Sequence, residues 1–120
     1  MTAVTPAQAK RMIAKAKRTA LEDRLLADLA KLGLPAPERE YRFDEVRRWR
    51  FDMAYPSRRI AIECDGGTFS GGRHVRGAGY RRDAEKFNAA CMLGWAVFHY
   101  TGDMIRSSEA AREIAEALNG

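Results

Sequence analysis

The sequence predicts a single α/β domain, residues 1–120, with a mixed central sheet flanked by helices in the order α-β-β-β-α-β-α. Three observations carry that expectation. Apolar residues recur at helical spacing as far as Leu32. The period drops to two between Glu40 and Asp65. Beyond a glycine-rich stretch, a helix, a buried-type strand and a last helix follow in turn.

Thr5 before Pro6 reads as an N-cap with proline at the first helical position. The helix is expected over about 6–32, with Gly33 and Pro35 as its stop. Its apolar stripe is Leu25, Leu26, Leu29 and Leu32. Pro35 to Glu38 connects it to a weaker strand at 40–45. A strand at about 47–55 puts Trp49, Phe51, Met53 and Tyr55 on one face. Pro56-Ser57-Arg58 is a turn signal. The strand at 59–65 puts Ile60, Ile62 and Cys64 on one face, and Ala61, Glu63 and Asp65 on the other. Residues 66–79 read as a long glycine-rich loop containing Arg73, His74 and Arg76. A helix at 80–93 closed by Gly94, a strand at 95–100 and a helix at 108–118, capped by Ser107 or Ser108, complete the chain.

Hydrophobic residues at 46% and charged residues at 31% fit a folded globular domain rather than a disordered tail. No apolar run approaches the roughly 18 residues of a membrane span. The N-terminus has no apolar stretch of signal-peptide type. Cys64 and Cys91 make neither a disulfide framework nor a zinc spacing, and both read as core or strand-face thiols in a reducing, cytoplasmic setting. Trp49 and Trp95 read as core.

The formal charge of +5 resides in residues 1–20, which hold Lys10, Arg11, Lys15, Lys17 and Arg18 and no acid. The remainder is balanced. Such a segment suits a polyanion, nucleic acid first and an anionic membrane second. A solvated helix face without a partner would carry the same charge.

Three carboxylates stand out. If the two central strands share a core face, their register places Met53 opposite Ile62, Phe51 opposite Cys64 and Asp52 opposite Glu63, with Asp65 further along that face. Like charges directly opposite destabilise a sheet, and a divalent cation between them reverses the penalty. Glu22 falls inside the apolar stripe of the first helix, where a carboxylate is rarely buried without a partner. Pairing with Arg18 is its ordinary alternative, and Arg48 and Arg50 are the ordinary partners for Asp52 and Glu63.

Glu22 in the first helix, Asp52 in Arg50-Phe51-Asp52, and Ile62-Glu63-Cys64-Asp65-Gly66, with the order α-β-β-β-α-β, resemble the PD-(D/E)xK nuclease superfamily over about residues 18–106. The resemblance implies a restriction-endonuclease-like core. It implies Asp52 and Glu63 as ligands of one or two Mg²⁺ ions, with Mn²⁺ able to substitute, a backbone carbonyl near Cys64 as a third ligand, and Glu22 in support. The lysine of that motif is replaced here by Asp65, an additional carboxylate able to hold a second metal or orient water. Lys86 on the following helix, or His74, is then the candidate to position the attacking water. Asp65-Gly66-Gly67-Thr68-Phe69 with His74 downstream looks like a region of very-short-patch-repair nicking endonucleases.

Expected DNA-backbone contacts are Lys10, Arg11, Lys15, Lys17, Arg18, Arg48, Arg50, Arg73, Arg76 and Arg82, with Arg47 and Arg81 close by. A bare core of this size without a base-reading domain suits shape recognition. Archaeal-type Holliday junction resolvases look like this, and they act as homodimers that cut two symmetry-related strands. Small phage nucleases fit as well. The expected function is therefore Mg²⁺-dependent cleavage of branched DNA in recombination or repair. A strand-nicking enzyme and a catalytically silent nucleic-acid-binding module on the same core are the alternatives.

Overall fold

The first helix begins where the sequence places it. The Thr5 hydroxyl accepts the Gln8 N–H, and the Gln8 side chain returns the bond to the Thr5 N–H, a reciprocal cap. In the structure, a computed structural model that describes residues 3–65 and 78–120, helix α1 runs Pro6–Lys31. It ends at Leu32, and Gly33 takes the positive φ of 74° that releases the chain. Strands β1 (Glu38–Arg42), β2 (Arg50–Tyr55) and β3 (Ile60–Cys64) form an antiparallel meander. Helix α2 (Ala78–Met92) leads through Gly94, at φ 85°, into β4 (Ala96–Tyr100), which lies parallel to β3. Helices α3 (Gly102–Arg106) and α4 (Glu109–Asn119) close the chain. The described sheet is mixed, in the order β1-β2-β3-β4.

The predicted hairpin register holds where the ladder is regular: Tyr55 lies opposite Ile60 and Met53 opposite Ile62. A single 3₁₀ turn, Pro56–Arg58, makes the reversal, with Arg59 left-handed at φ 54°. Two layers cover the sheet. On one side Leu21, Leu25 and Leu29 of α1 pack with Met53, Tyr55, Ile60, Ile62, Cys64, Ile105 and Ile114. On the other, Phe51, Ala54 and Ala61 pack with Ala90 and Trp95.

Phe51 therefore departs from the expected alternation. It stacks on Phe43 with ring centroids 4.1 Å apart, and lies 5.0 Å from Trp95, on the α2 side. Met53 points to α1. Side-chain parity flips between them, so Phe51 does not face Cys64. Strand β1 flips at the same level: Tyr41 packs on the α2 side while Arg39 reaches α1, and Glu40 between them is left-handed at φ 50°. The β1–β2 ribbon thus coils at Glu40 and Asp52, as local kinks in a twisted sheet do.

Other boundaries shift modestly. β1 is 38–42 rather than 40–45, β2 starts at 50, and α2 starts at 78. Helix α3 lies in a stretch expected to be a connector; the Thr101 hydroxyl caps it at the Met104 N–H. Ser108 precedes α4 with φ 67° and makes no side-chain cap bond, while the Ser107 hydroxyl accepts from the Glu109 N–H. Leu32 is exposed at the helix end, Trp49 is half-buried and Cys91 is exposed, so none of the three belongs to the core. No described helix is long and apolar enough to cross a membrane.

Leu25 has no exposed surface and sits centrally in the α1 layer. Leu25→Ala is expected to lower the unfolding free energy by about 2–5 kcal/mol, read from the urea midpoint at unchanged slope.

Candidate functional site

The coil in β2 decides where Asp52 goes. Below it the β2–β3 ladder is ordinary; at Asp52 the ladder bonds pass to side chains. The Asp52 N–H donates to Glu63 Oε2 at 2.8 Å, and the Cys64 N–H donates to Asp52 Oδ2 at 2.8 Å. The two acids thus lock each other's strand, close together as the register requires. Asp52 stands at the crossing between layers and is felt from both. Its charge raises the carboxyl pKa of Glu22 on the α1 side and of Glu63 on the α2 side.

Glu63 is only 7% exposed. Burial, then the Asp52 charge, push its pKa up, and the Lys86 ammonium opposes them. Lys86 Nζ lies 2.6 Å from Glu63 Oε1. It also approaches the ring faces of Phe51 and Phe87, at 5.8 and 5.4 Å. Helix α2 thereby brings a cation to the acid pair, as expected for a lysine reaching back from that helix. Glu22 is 5% exposed and does not pair with Arg18. Its partner is Arg39 of β1, whose Nη2 lies 2.9 Å from Glu22 Oε1. Burial is the largest cause of its raised pKa.

Asp65 continues the β3 line. Its Oδ2 lies 3.3 Å from His99 Nδ1, and the His99 ring meets Phe87 edge-on at 4.6 Å. His99 lies beside Glu63 in the parallel β3–β4 pair. The bond to Asp65 is the main cause of its raised pKa. Sequence reasoning missed His99. The parity of β4 was readable, but its register against β3 is set by how the crossover docks.

At Cys64 the charges converge. Burial pushes its thiol up to about 12, reinforced in order by Asp52, Glu22, Glu63 and Asp65. Asp52 accepts the Cys64 N–H, Glu63 and Asp65 flank Cys64 in the chain, and the Glu22 charge is felt there too. Among the described residues, however, no three His, Cys, Asp or Glu side chains approach closely enough to hold a metal ion by themselves.

Lys10, Arg11, Lys15, Lys17, Arg18, Arg48, Arg50 and Arg82 are exposed and make no ion pair with the described residues. Arg47 and Arg81 both bond Glu85, at 3.0 and 2.9 Å, so their charge is partly engaged. Arg73, His74 and Arg76 lie outside the described residues. Asp28, unremarked in the sequence, is buried and held by Arg24 Nε at 3.1 Å; that arginine also donates to the Arg106 carbonyl, so the pair ties α1 to α3.

The raised groups share a sign. Glu22 and Glu63 stabilise the fold most below their ordinary value of 4.5, and that contribution fades as pH rises through their higher folded values. His99 behaves likewise from below 6.5 upward. Glu85, lowered by Arg81 and Arg47, acts oppositely but only in the range below 4.5. Urea unfolding in the presence of a chelator is therefore expected to show stability falling from pH 5 to pH 8. A flat or rising profile contradicts this assignment of the acids.

No family model, curated protein or solved structure matches this chain.

Proposed function

We propose that this chain is a divalent-metal-dependent DNA endonuclease of the PD-(D/E)xK kind, acting on branched DNA as a homodimer. The observation that carries the reading is the trio at the coiled end of β2–β3. Asp52 and Glu63 are tied through each other's strand, and Lys86 lies 2.6 Å from Glu63. Two carboxylates and a lysine are the set that the PD-(D/E)xK resemblance implies, and here α2 supplies the cation that Asp65 cannot.

The donor chemistry fits Mg²⁺, which takes one or two carboxylates and completes its shell with water and phosphate oxygens instead of an all-protein cage. Asp52 and Glu63 would hold it, with Asp65 as a further carboxylate. Such an ion supplies Lewis acidity at the scissile phosphate and a more acidic water. The chain's own residues do the rest. Lys86 stands beside Glu63, where it can orient the attacking water and offset charge on the phosphate. The Glu22–Arg39 pair fixes β1 against α1. The unpaired bases of α1 bind the backbone of the DNA.

A second reading is a binding module without cleavage. It is favoured by the engagement of both Glu63 oxygens, one with Lys86 and one with the Asp52 N–H. Plasmid, linear duplex and four-way junction DNA, each with Mg²⁺ or Mn²⁺, separate the possibilities. Paired symmetric cuts in the junction are expected. Single nicks in duplex would point to a strand-nicking enzyme. Salt-sensitive binding without any cut would point to the silent module.

A further inference from the structure

The turn between β1 and β2 is held by bonds of its own. The Phe43 N–H donates to the Trp49 carbonyl at 3.1 Å, and Asp44 Oδ1 accepts the Arg47 N–H at 2.9 Å. Arg48 is left-handed at φ 62°, a conformation that costs a non-glycine residue energy and recurs at ligand clamps. The Arg47 guanidinium lies 5.0 Å over the Trp49 ring. Trp49 stacks in turn on Phe43, and Phe43 on Phe51. Lys86 meets the Phe51 ring at 5.8 Å, so one aromatic stack joins this turn to the proposed site.

Between the turn and α2 opens a cleft of about 530 Å³, within the range of small-ligand sites. Arg81, Glu85 and Asn88 of α2 line it at helical spacing. Both Glu85 oxygens are engaged, one by Arg81 Nε at 2.9 Å and the other by Arg47 Nη1 at 3.0 Å. Glu85 thus fixes two guanidiniums, one from each wall. Asn88 is exposed, and its amide makes no hydrogen bond among the described residues. The ionic groups of the cleft cancel, because Asp44 and Glu85 offset Arg47 and Arg81. The rim is different. Arg48, Arg50 and Arg82 adjoin these lining residues in the chain, and all three are exposed and unpaired among the described residues.

We propose that this cleft holds an unpaired nucleobase of the DNA, stacked on the Arg47 guanidinium, while Arg48, Arg50 and Arg82 take the flanking phosphates. The charge distribution selects the base over a phosphate. A phosphate needs a net positive site, and here both arginines are already bonded to a carboxylate. A base is uncharged and needs a plane to stack on and partners for its edge. Arg47 supplies the plane: Trp49 covers one face, and 57% of the side chain stays exposed. Asn88 supplies a donor and an acceptor on one amide, a pairing that suits adenine. A base that is already unpaired costs least to draw out of the stack, and branched duplexes present such bases. The inference rests on DNA as the substrate in the proposed function, and is independent of cleavage. It gives the chain a means of recognising branch points beyond charge and shape.

Fluorescence anisotropy with the full chain tests it, in excess chelator so that binding alone is read. The probes are labelled duplexes of one length: fully paired, with one bulged adenine, and with one bulged abasic nucleotide. The bulged adenine should bind about tenfold tighter than the abasic bulge, which has the same backbone and charge. Arg47→Lys keeps the charge and loses the plane, and it should remove most of that preference. Asn88→Ala should also reduce it and leave the paired duplex bound as before. Circular dichroism confirms that both variants fold. Equal affinity for the adenine and abasic bulges overturns the proposal in favour of a backbone site, as does a preference that survives both substitutions. A native chain that prefers the adenine bulge but cuts no DNA with Mg²⁺ or Mn²⁺ supports this proposal and overturns the cleavage reading. One that cuts DNA without the preference does the reverse.

Discussion

Asp52→Asn is expected to reduce DNA cleavage at least about a thousandfold and to raise the melting temperature in the same preparation. The carboxylate is the group that would hold the cation at the scissile phosphate, and losing such a contribution costs on the order of 10²–10³ or more in rate. The stabilisation has a separate cause. Asp52 raises the pKa of Glu22, Glu63 and Cys64, so its charge opposes those of the buried acids around it. Asparagine keeps an oxygen for the Cys64 N–H and removes the repulsion. A gain of about 1 kcal/mol is expected, within the range of single stabilising substitutions that trade function for stability. DNA affinity should be retained, because the exposed bases are unchanged. A purely structural Asp52 would instead lose stability on substitution, so calorimetry on the variant separates the two roles. Cleavage unchanged in Asp52→Asn would sink the assignment.

Lys86→Ala is expected to have the second largest effect, and a pH-dependent one. Its ammonium is the only cation bonded to Glu63 among the described residues. Without it, an almost buried carboxylate is left with one backbone N–H as its partner. At pH 8 that should lower stability by about 1–3 kcal/mol. At pH 5 the loss should shrink, because removing Lys86 raises the Glu63 pKa further and the acid takes up a proton. Cleavage should fall by about 10²–10⁴, the range for a positioned proton-transfer or charge-stabilising group. Lys86→Arg should recover most of the stability and less of the activity, since a planar guanidinium does not reproduce the position of a single ammonium. A stability deficit that is equal at pH 5 and pH 8 contradicts the pairing.

The parts of the site that were legible are those fixed by local chain geometry. A short Pro56 turn and a shared apolar face leave one register for the hairpin, so the approach of Asp52 to Glu63 followed from counting. The burial of Glu22 followed from its place in the leucine stripe. What remained hidden depends on docking at a distance. Arg39 reaches Glu22 only because β1 coils at Glu40, a left-handed non-glycine residue that strand periodicity does not announce. The same coil turned Phe51 to the α2 layer. His99 enters through the β3–β4 crossover, whose register no pattern in either strand reveals. Lys86 was nameable as a candidate, but its 2.6 Å contact depends on how α2 is set against the sheet.

Asp52 and Glu63 are proposed to hold a divalent cation for phosphodiester hydrolysis. The most direct test is supercoiled plasmid DNA incubated with the native chain, Asp52→Asn and Glu63→Gln, each with Mg²⁺, with Mn²⁺ and with excess chelator. Cutting by the native chain is expected with either metal, none with chelator, and none by either variant although both still bind DNA. Absence of cutting by the native chain with both metals, or equal cutting by the variants, would contradict it.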